Sequence, residues 1–456
     1  MRGRIFLLCI VLLGGCSKKP APEPQQLEKA PVAPQARQAD VEPQPPNAPL
    51  PPARGFQDVR RPTPRPSPHV PMMMPKDVFR AIAVQADGKI LAGGSAYNGT
   101  NDDGLLMRFL PDGKVDPSFA GGSGIREAFG DEEDQFFAIG IQKDGRVLAA
   151  GSSSLGRRNF FILARYRPDG KLDGTFATNG KAVTEIQTMR DAARCMAILD
   201  DGRILVAGST SNDPDGGDND FAVARYTAEG LPDPTFGRDG NATVDFDEGD
   251  DIANCMAIQR DGKVIVAGNS AKSGRSALAL VRFNSDGKRD TSFGRRGKVI
   301  TTLGGRNGIV TGIALQSDGK IIVAGSVYGE GRRDVILVRD NPDGSSDGEF
   351  GDEGRVITEV GDSVDANCLV LQADGRMIVA GAATSGQRYG FCVLRYSPSG
   401  KFDGRLETFG NVTGASEAAE SFGHAVALER DGAILVAGAS TDEKGKKASV
   451  VRYKGN

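Results

Sequence analysis

The chain has 456 residues, of which 39% are apolar, and it contains no tryptophan. Arg2 and Arg4 contribute +2 and residues 17–76 contribute +4, so with a total formal charge of −3 the region that follows carries −9. This acidic balance excludes the clustered basic surface that binding to a nucleic-acid backbone requires. We therefore expect no nucleic acid among the partners.

The first fifteen residues are typical of an export signal. Basic residues precede an apolar run from Ile5 to Leu13, which is too short to span a bilayer. The sequence Leu13-Gly14-Gly15-Cys16 resembles the lipobox of bacterial lipoproteins. The resemblance implies cleavage before Cys16, lipid attachment to Cys16 as a membrane anchor, and, with Ser17 next, delivery to the outer membrane. The alternative is an ordinary signal peptide with a coincidental cysteine.

Residues 16–69 are rich in proline and poor in large apolar side chains. Such a composition cannot form a packed core, and it favours polyproline II segments. We expect a disordered tether between the lipid and a globular domain at residues 70–456.

One cassette of about 57 residues is repeated from Asp77 to the end of the chain. An Asp-Gly pair between two apolar runs is the strongest short-range signal for a β-hairpin. This pair begins at Asp87, Asp144, Asp201, Asp261, Asp318, Asp374 and Asp431. A fixed period of this size predicts a repeat architecture.

Each cassette predicts four strands. The second strand, as in Arg203–Ala207, is almost continuously apolar and ends in glycine in every copy, which suggests a bend or a close backbone approach. The third strand ends in arginine, and in six copies an aspartate follows eight residues later, as in Arg225 and Asp233. We predict an ion pair within each copy. A phenylalanine three residues after the aspartate should plug the core before the fourth strand.

Four short strands per copy without helical patterning predict an all-β fold, a seven-bladed β-propeller. The seventh copy ends at Tyr453 without a fourth strand. We expect the segment Val70–Met73 to complete that blade and close the ring.

The repeated motifs also indicate a family. Gln316–Gly325, Leu163–Gly170, Asp290–Gly294 and Gly297–Val299 show them in full. Together they resemble the delta-60 repeat, a β-propeller domain of unknown function in exported bacterial proteins. The resemblance implies a propeller and assigns no catalytic residues.

The histidine and cysteine residues offer few candidates for catalysis. With only His69 and His424, a serine-hydrolase triad or a histidine-rich zinc site is not expected. His424 aligns close to the cysteines on other first strands and is interpreted as structural. Cys195, Cys255, Cys368 and Cys392 are predicted to be free, buried thiols, because equivalent positions in different blades lie too far apart for a disulfide.

Acidic residues stand at the entry to the first strands, ten residues before the Asp-Gly turn or close to that position. They are Asp77, Asp134, Asp191, Asp251 and Asp365. If first strands line the central channel, these carboxylates form an interrupted ring that binds a cation or a basic partner segment. The alternative is that each aspartate caps its own turn.

A second calcium candidate is the loop that carries Asp213, Asp215, Asp218 and Asp220. Its alternating carboxylates near glycine offer oxygen ligands, although the loop lacks the spacing of an EF-hand. The alternative is a solvated acidic loop.

These patterns favour a lipid-anchored binding or protein-interaction scaffold of the cell envelope over an enzyme. We expect a monomer that faces a protein or polysaccharide partner, with calcium as the one cofactor the sequence suggests. The alternative is a calcium-dependent propeller hydrolase or lactonase that uses channel carboxylates.

Overall fold

A computed structural model describes residues 77–453, apart from 188, 214–216, 247–248, 273, 330, 386–387, 408–419 and 443–444. The predicted leader, Cys16, the tether and the strand at Val70–Met73 lie outside the described residues. None of the described residues forms a helix with the length and apolar character needed to cross a membrane.

The described strands form six sheets, of which the eight-stranded one contains two antiparallel units joined by a parallel pair, Asn159 with Arg190; we call the seven antiparallel units blades 1 to 7. The first strands are β1 Asp77–Val84, β5 Asp134–Ile141, β9 Arg190–Ile198, β13 Asp250–Ile258, β17 Asn307–Leu315, β21 Ser363–Leu371 and β25 Glu420–Leu428. The second strands are β2 Ile90–Tyr97, β6 Val147–Leu155, β10 Ile204–Ser211, β14 Val264–Lys272, β18 Ile321–Gly329, β22 Met377–Ser385 and β26 Ile434–Asp442. The third strands are β3 Asp102–Phe109, β7 Arg158–Tyr166, β11 Asp220–Tyr226, β15 Arg275–Phe283, β19 Arg332–Asp340, β23 Arg388–Tyr396 and β27 Gly445–Tyr453.

The fourth strands are shorter and lie on the outer edge. They are β4 Ile125–Glu127, β8 Lys181–Thr184, β12 Asn241–Val244, β16 Lys298–Thr301, β20 Arg355–Thr358 and β24 Phe402–Glu407. A 3₁₀ turn at Ala120–Gly122 precedes β4. In blade 7 the described residues form three strands.

The Asp-Gly pairs form the predicted hairpin turns. In blade 4, Gly262 has a φ of +81°, which glycine adopts without strain. The Gln259 N–H donates to the Lys263 carbonyl at 2.8 Å, and Asp261 accepts a hydrogen bond from the Lys263 N–H at 3.1 Å. The second strands are buried on both faces, as the apolar run predicted: Ile204, Leu205, Val206 and Ala207 are at most 1% exposed.

The first strands contact one another in sequence order, and β25 contacts β1, so they form a closed innermost ring. Successive strands then lie further from this ring, in the order first, second, third and fourth. Apolar side chains fill the spaces between neighbouring blades. The prediction of an all-β propeller is confirmed.

The predicted arginine–aspartate pairs are present in the first six blades. The distances from arginine Nε to aspartate Oδ2 are 2.8 Å for Arg108–Asp116, 2.9 Å for Arg165–Asp173, 2.8 Å for Arg225–Asp233, 2.8 Å for Arg282–Asp290, 2.6 Å for Arg339–Asp347 and 2.8 Å for Arg395–Asp403. In the first five blades the guanidinium lies over the predicted phenylalanine plug, as Arg225 does over Phe236 at 4.7 Å. The sequence thus predicted both partners of each pair.

The same arginines also join neighbouring blades, which the sequence did not show. Arg108 donates through Nη1 to the Pro168 carbonyl of the next blade at 2.7 Å, and Arg282 donates to the Pro342 carbonyl at 2.6 Å. Arg165, Arg225 and Arg339 make the equivalent bond. We call this unit of arginine, aspartate and neighbouring carbonyl the inter-blade latch.

The four described cysteines are free and buried, as predicted. Burial raises the pKa of the Cys195 thiol far above its usual range. Cys195, Cys255 and Cys368 lie within 3.5–3.7 Å of the carbonyl of a paired second-strand alanine. They therefore behave as small core side chains.

Asp340 departs from the repeat, because the residue after the latch arginine is aromatic in the other six blades. Its side chain is 2% exposed, and its Oδ2 has no hydrogen-bond partner among the described residues. Burial raises the pKa of this carboxyl to about 7; the charge of Arg355 lowers it, and that of Asp347 raises it.

We expect Asp340→Asn to stabilise the protein above neutral pH and to have little effect at pH 4. The folded-state pKa lies above the unfolded value, so the wild-type contribution is complete below about pH 4 and is lost as the pH rises through 7. At pH 8 the variant should be more stable by on the order of 2 kcal/mol. Denaturant unfolding at pH 4, 6 and 8 measures this, with Asp239→Asn as the exposed control. A difference that does not change with pH would contradict the assignment.

Candidate functional site

The first strands carry a β-bulge at one position in every blade. Pairing with the second strand skips one residue, which stands seven residues before the Asp-Gly turn. These residues are Arg80, Phe137, Arg194, Asn254, Thr311, Asn367 and His424. A bulge redirects the extra side chain and increases the local twist of the strand.

The glycine that ends each apolar run in the second strand exists because of this bulge. In blade 4, a Cβ on Gly268 would lie 2.0 Å from the Ile252 carbonyl oxygen, two residues before the bulge. In the seven blades the corresponding distance is 1.8–2.0 Å. The bulge thus brings a backbone carbonyl of the first strand against the glycine. This is the close backbone approach predicted from the sequence.

The charges of some bulge residues act on one another across the innermost ring of first strands. Arg80 of blade 1 is close enough to Arg194 of blade 3 for the two charges to interact, although blade 2 lies between them along the ring. The charge of Arg80 also acts on His424 of blade 7. The Arg80 guanidinium lies 5.2 Å from the centre of the Phe137 ring. Side chains from non-adjacent blades can meet in this way only near the axis.

The bulge residues of blades 4, 5 and 6 use their polar atoms for hydrogen bonds to backbone carbonyls. The Asn254 Nδ2 donates to the Val310 carbonyl of blade 5 at 2.9 Å, and the Asn367 Nδ2 donates to the Gly423 carbonyl of blade 7 at 2.6 Å. Thr311 donates to the Ala324 carbonyl at 3.4 Å. Asn254 therefore joins blades 4 and 5, Asn367 joins blades 6 and 7, and the Thr311 bond lies within blade 5.

The other four bulge residues include two arginines, and we call Arg80, Phe137, Arg194 and His424 the axial cluster. Burial lowers the pKa of Arg80 to about 10; the negative charge of Asp102 raises it, and the positive charge of Arg194 lowers it. Burial likewise lowers the pKa of Arg194 to about 10. Burial, then the charge of Arg80, lowers the pKa of His424 to about 3, so this imidazole is neutral at neutral pH.

The carboxylates predicted to line the channel mouth do not form one open ring. Asp134, Asp191 and Asp251 are 0% exposed. Their Oδ2 atoms accept backbone N–H groups of the preceding turn, from Phe129 at 2.8 Å, Ile186 at 2.6 Å and Phe246 at 2.5 Å. These bonds are the turn-capping geometry of the alternative interpretation.

The remaining two members of the predicted ring lie in different surroundings. Asp77 is partly buried and accepts a hydrogen bond from the Tyr97 N–H at 3.1 Å. Asp365 pairs with Ala382 in the sheet, one residue out of register with the other four, and binds Arg333 at 2.7 Å. A shift of one residue turns a side chain to the opposite face of a strand.

The predicted calcium loop is also divided. Asp213 accepts the Gly217 N–H at 3.0 Å, Asp218 is exposed, and Asp215 lies outside the described residues. Asp220 is partly buried and belongs to a different cluster of carboxylates. Asp220, Asp245 and Asp251 each offer one carboxylate oxygen, and the three oxygens lie within 4.8 Å of one another. We call this group the acidic trio.

The acidic trio lies between blades 3 and 4. Asp220 begins β11, Asp245 follows β12, and Asp251 belongs to β13. Burial raises the pKa of Asp251 to about 6, hydrogen bonds from Phe246 and Ser270 lower it, and the charges of Asp245 and Asp220 raise it. Lys298 offsets part of this charge, since it lowers the pKa of Asp220 and donates to the Asp245 carbonyl. Three carboxylate oxygens at this spacing suit a hard divalent cation such as calcium.

The sequence supplied two members of the acidic trio, from its two separate calcium candidates, and missed Asp245. It also missed the axial cluster. A signal for that cluster was present: within the apolar first strands, the residue seven before the Asp-Gly turn is polar in six of the seven copies, as Arg, Asn, Thr or His.

A cavity of about 700 Å³ lies beside the outer strand of blade 3, and its lining includes Gln187, whose Nε2 donates to Asp220 of the acidic trio at 3.5 Å. The lining also includes Glu185, Arg238, Asp239 and Arg289 together with the edge strand β12. None of the axial bulge residues belongs to this lining.

Comparison with known families supports the repeat assignment. The family model described as domain of unknown function (DUF5122) beta-propeller matches residues 85–119, 142–176, 199–236, 259–293, 316–350 and 372–404. Comparison with curated proteins finds no similar sequence.

Solved structures match this chain at low sequence identity. An ulvan lyase of polysaccharide lyase family PL25 is 11% identical, with 82% of this chain and 91% of that chain covered and a TM-score of 0.49. Sqt1 from Chaetomium thermophilum is 14% identical over 83% of this chain and 88% of that chain, with a TM-score of 0.43. A GH43 endo-arabinanase from Bacillus licheniformis is 12% identical over 56% and 90%, with a TM-score of 0.30. At these identities the activities remain properties of those proteins.

Proposed function

We propose that this chain, whose repeat region is a DUF5122 β-propeller of the delta-60 type, is a lipid-anchored binding scaffold of the bacterial cell envelope. Residues 1–15 direct export, Cys16 carries the lipid, residues 16–69 form the tether, and the propeller binds a protein or polysaccharide partner as a monomer at the outer membrane. One observation carries the proposal: repeated residues build the ring, while residues that differ from blade to blade meet at its axis.

The repeated residues have structural tasks. The inter-blade latches, the phenylalanine plugs and the second-strand glycines recur with nearly constant geometry. A scaffold fixed in this way holds a small set of non-repeated side chains at defined positions. Binding sites with these properties place a few polar groups among apolar and aromatic ones.

The axial side chains suit recognition better than covalent catalysis. Arg80 and Arg194 supply hydrogen-bond donors, and Phe137 supplies an aromatic face. His424 is neutral and buried beside a cation, and the buried Cys195 thiol stays protonated. A nucleophile activated by an adjacent base requires a different pairing.

Site-specific photo-crosslinking tests binding at the axis. p-Benzoylphenylalanine replaces Phe137, which is partly exposed on the bulge, and in a control protein it replaces Val183, which is 55% exposed on the outer strand β8 of the same blade. In intact cells we expect a defined adduct at position 137 and none at 183. Equal labelling at the two positions, or none at 137, would overturn axial binding.

The anchor is tested separately. We expect the full-length protein to incorporate labelled palmitate and to fractionate with the outer membrane, and Cys16→Ala to do neither. Cys9→Ala is the matched control, because Cys9 lies inside the predicted signal. Membrane fractionation of Cys16→Ala like that of the wild type would contradict lipid anchoring.

The acidic trio favours a second candidate function, a calcium-dependent activity. Here we expect calcium to raise the melting temperature by about 2–6 °C at saturating concentration, because it binds the folded state alone. Asp245→Asn should abolish the rise, since Asp245 belongs to the trio but is exposed. Asp239→Asn is the control, with a side chain 92% exposed. An identical calcium response in Asp245→Asn would exclude the acidic trio.

A further inference from the structure

We infer that the axial cluster is an oxyanion-binding site, in which a carboxylate or phosphate group of the ligand binds the guanidinium group of Arg80. This inference rests on the proposed binding function and names the chemistry of its ligand. It reverses the sign of the charge predicted for the channel from the sequence.

Arg80 carries the argument because its donors are unused. Its side chain is 5% exposed, and Nη2 donates to the Gln135 Oε1 at 3.3 Å. Its Nε and Nη1 are buried and have no acceptor among the described residues. A guanidinium offers five N–H donors in a planar fork, and burial of such a cation without acceptors is costly.

The same chain shows how a buried arginine is satisfied. Arg225 of the latch uses Nε for Asp233, Nη1 for the Ser285 carbonyl and Nη2 for the Thr235 hydroxyl. Arg80 has an aromatic ring on one side, as the latch arginine has, but no carboxylate. Within the described part of the chain, no acidic side chain lies within 4.0 Å of Arg80. Compared with the latch arginine, Arg80 therefore lacks an anion.

Nearby carboxylates are held away from Arg80 by Gln135. The Gln135 Nε2 donates at 3.4 Å to both Asp102 and Glu133, and its carbonyl oxygen turns to Arg80. Asp102 and Glu133 thus act on Arg80 through space, and burial raises the pKa of both. The amide places a neutral group between the acids and the guanidinium.

Arg194 adds a second positive charge to the same space. Its charge lowers the pKa of Arg80, and an oxyanion bound to Arg80 would offset the repulsion between the two cations. The planar fork of Arg80 suits two oxygen atoms of a carboxylate, phosphate or sulfate group. The neutral His424 imidazole beside them adds a hydrogen-bonding group without adding charge.

Thermal unfolding of the full-length chain in detergent tests the inference. The reference buffer contains chloride, and the probes are acetate, inorganic phosphate and sulfate at the same ionic strength. We expect at least one probe to raise the melting temperature saturably in the wild type. In Arg80→Met the apparent affinity should fall roughly ten-fold or more. Arg238→Met, with a side chain 97% exposed, should respond like the wild type. Comparison of acetate with phosphate decides which oxyanion the site prefers.

The chloride reference also shows whether Arg80 is merely structural. If the site awaits an anion, Arg80→Met should melt at or above the wild-type temperature, because it removes a buried cation that lacks a partner. A lower melting temperature, an unchanged anion response in Arg80→Met, or no saturable response in the wild type would overturn the inference. If Arg80→Met does not fold, Arg80→Gln carries the same comparison, because it also removes the buried charge. A crosslink at position 137 without an anion response would refute the oxyanion site and leave axial binding intact.

Discussion

Gly268→Ala is expected to destabilise the propeller by about 4 kcal/mol, within the range of the most damaging single substitutions. The added Cβ would lie 2.0 Å from the Ile252 carbonyl oxygen and 2.8 Å from the Ala253 Cα. Both atoms belong to the backbone of β13, so no side chain can move aside. The bulge at Asn254 would have to open, which would also break the Asn254 bond to the Val310 carbonyl of blade 5.

Equilibrium urea unfolding, followed by far-ultraviolet circular dichroism, measures this loss. Gly348→Ala is the matched control, because it adds the same methyl group at a glycine with an ordinary φ and no atom within 4 Å of the added Cβ. We expect the control to unfold within about 0.5 kcal/mol of the wild type. Equal midpoints for the two variants would show that the bulge does not require glycine.

The sequence predicted a close backbone approach at this glycine but not the β-bulge that causes it. Local signals were sufficient for the hairpins, since the Asp-Gly turns, the apolar second strands and the latch pairs all lie within one cassette. The bulge depends on how two strands are paired. That register is a property of the folded sheet, and a linear pattern of apolar residues does not contain it.

The same limitation explains the prediction of an acidic channel. Asp134, Asp191 and Asp251 occupy the entries of first strands, as predicted, but their backbone hydrogen bonds hold them inside their own turns. Three residues later the bulge redirects the chain and sends a different side chain to the axis. The sign of the axial charge therefore depends on Arg80 and Arg194, which the linear pattern left inside an apolar strand.

The acidic trio shows the second limit of the sequence. Asp220 and Asp251 were candidates in two separate groups, and no spacing rule joined them. Their meeting with Asp245 requires the end of blade 3 to lie beside the entry to blade 4. Positions where the repeat is broken, such as Asp245, Asp340 and Arg80, are informative because the propeller does not require them. They are consequently the positions at which function can differ from one copy to the next.

Asp233→Asn is expected to cost about 3–5 kcal/mol, because it leaves the buried Arg225 cation without its counter-charge. Arg225 and Asp233 are 3% and 5% exposed, and Arg203 also approaches Asp233 at 3.5 Å. Burial alone would raise the pKa of Asp233, but the hydrogen bonds from Thr235 and the charge of Arg225 outweigh it and lower the pKa. The stabilisation is thus present above about pH 4 and is lost as the pH falls through the folded-state pKa.

Blade 6 provides the matched control within the same molecule. Arg395 and Asp403 form the same pair at 2.8 Å, but the Asp403 side chain is 39% exposed. Water screens an exposed pair, so Asp403→Asn should cost no more than about 1 kcal/mol. Urea unfolding at pH 7 and pH 3 should show a large gap between the two variants at pH 7 and a smaller one at pH 3. Equal losses in blades 3 and 6 would mean that burial does not set the strength of the latch, and that the ring is held by the bonds to the neighbouring carbonyls.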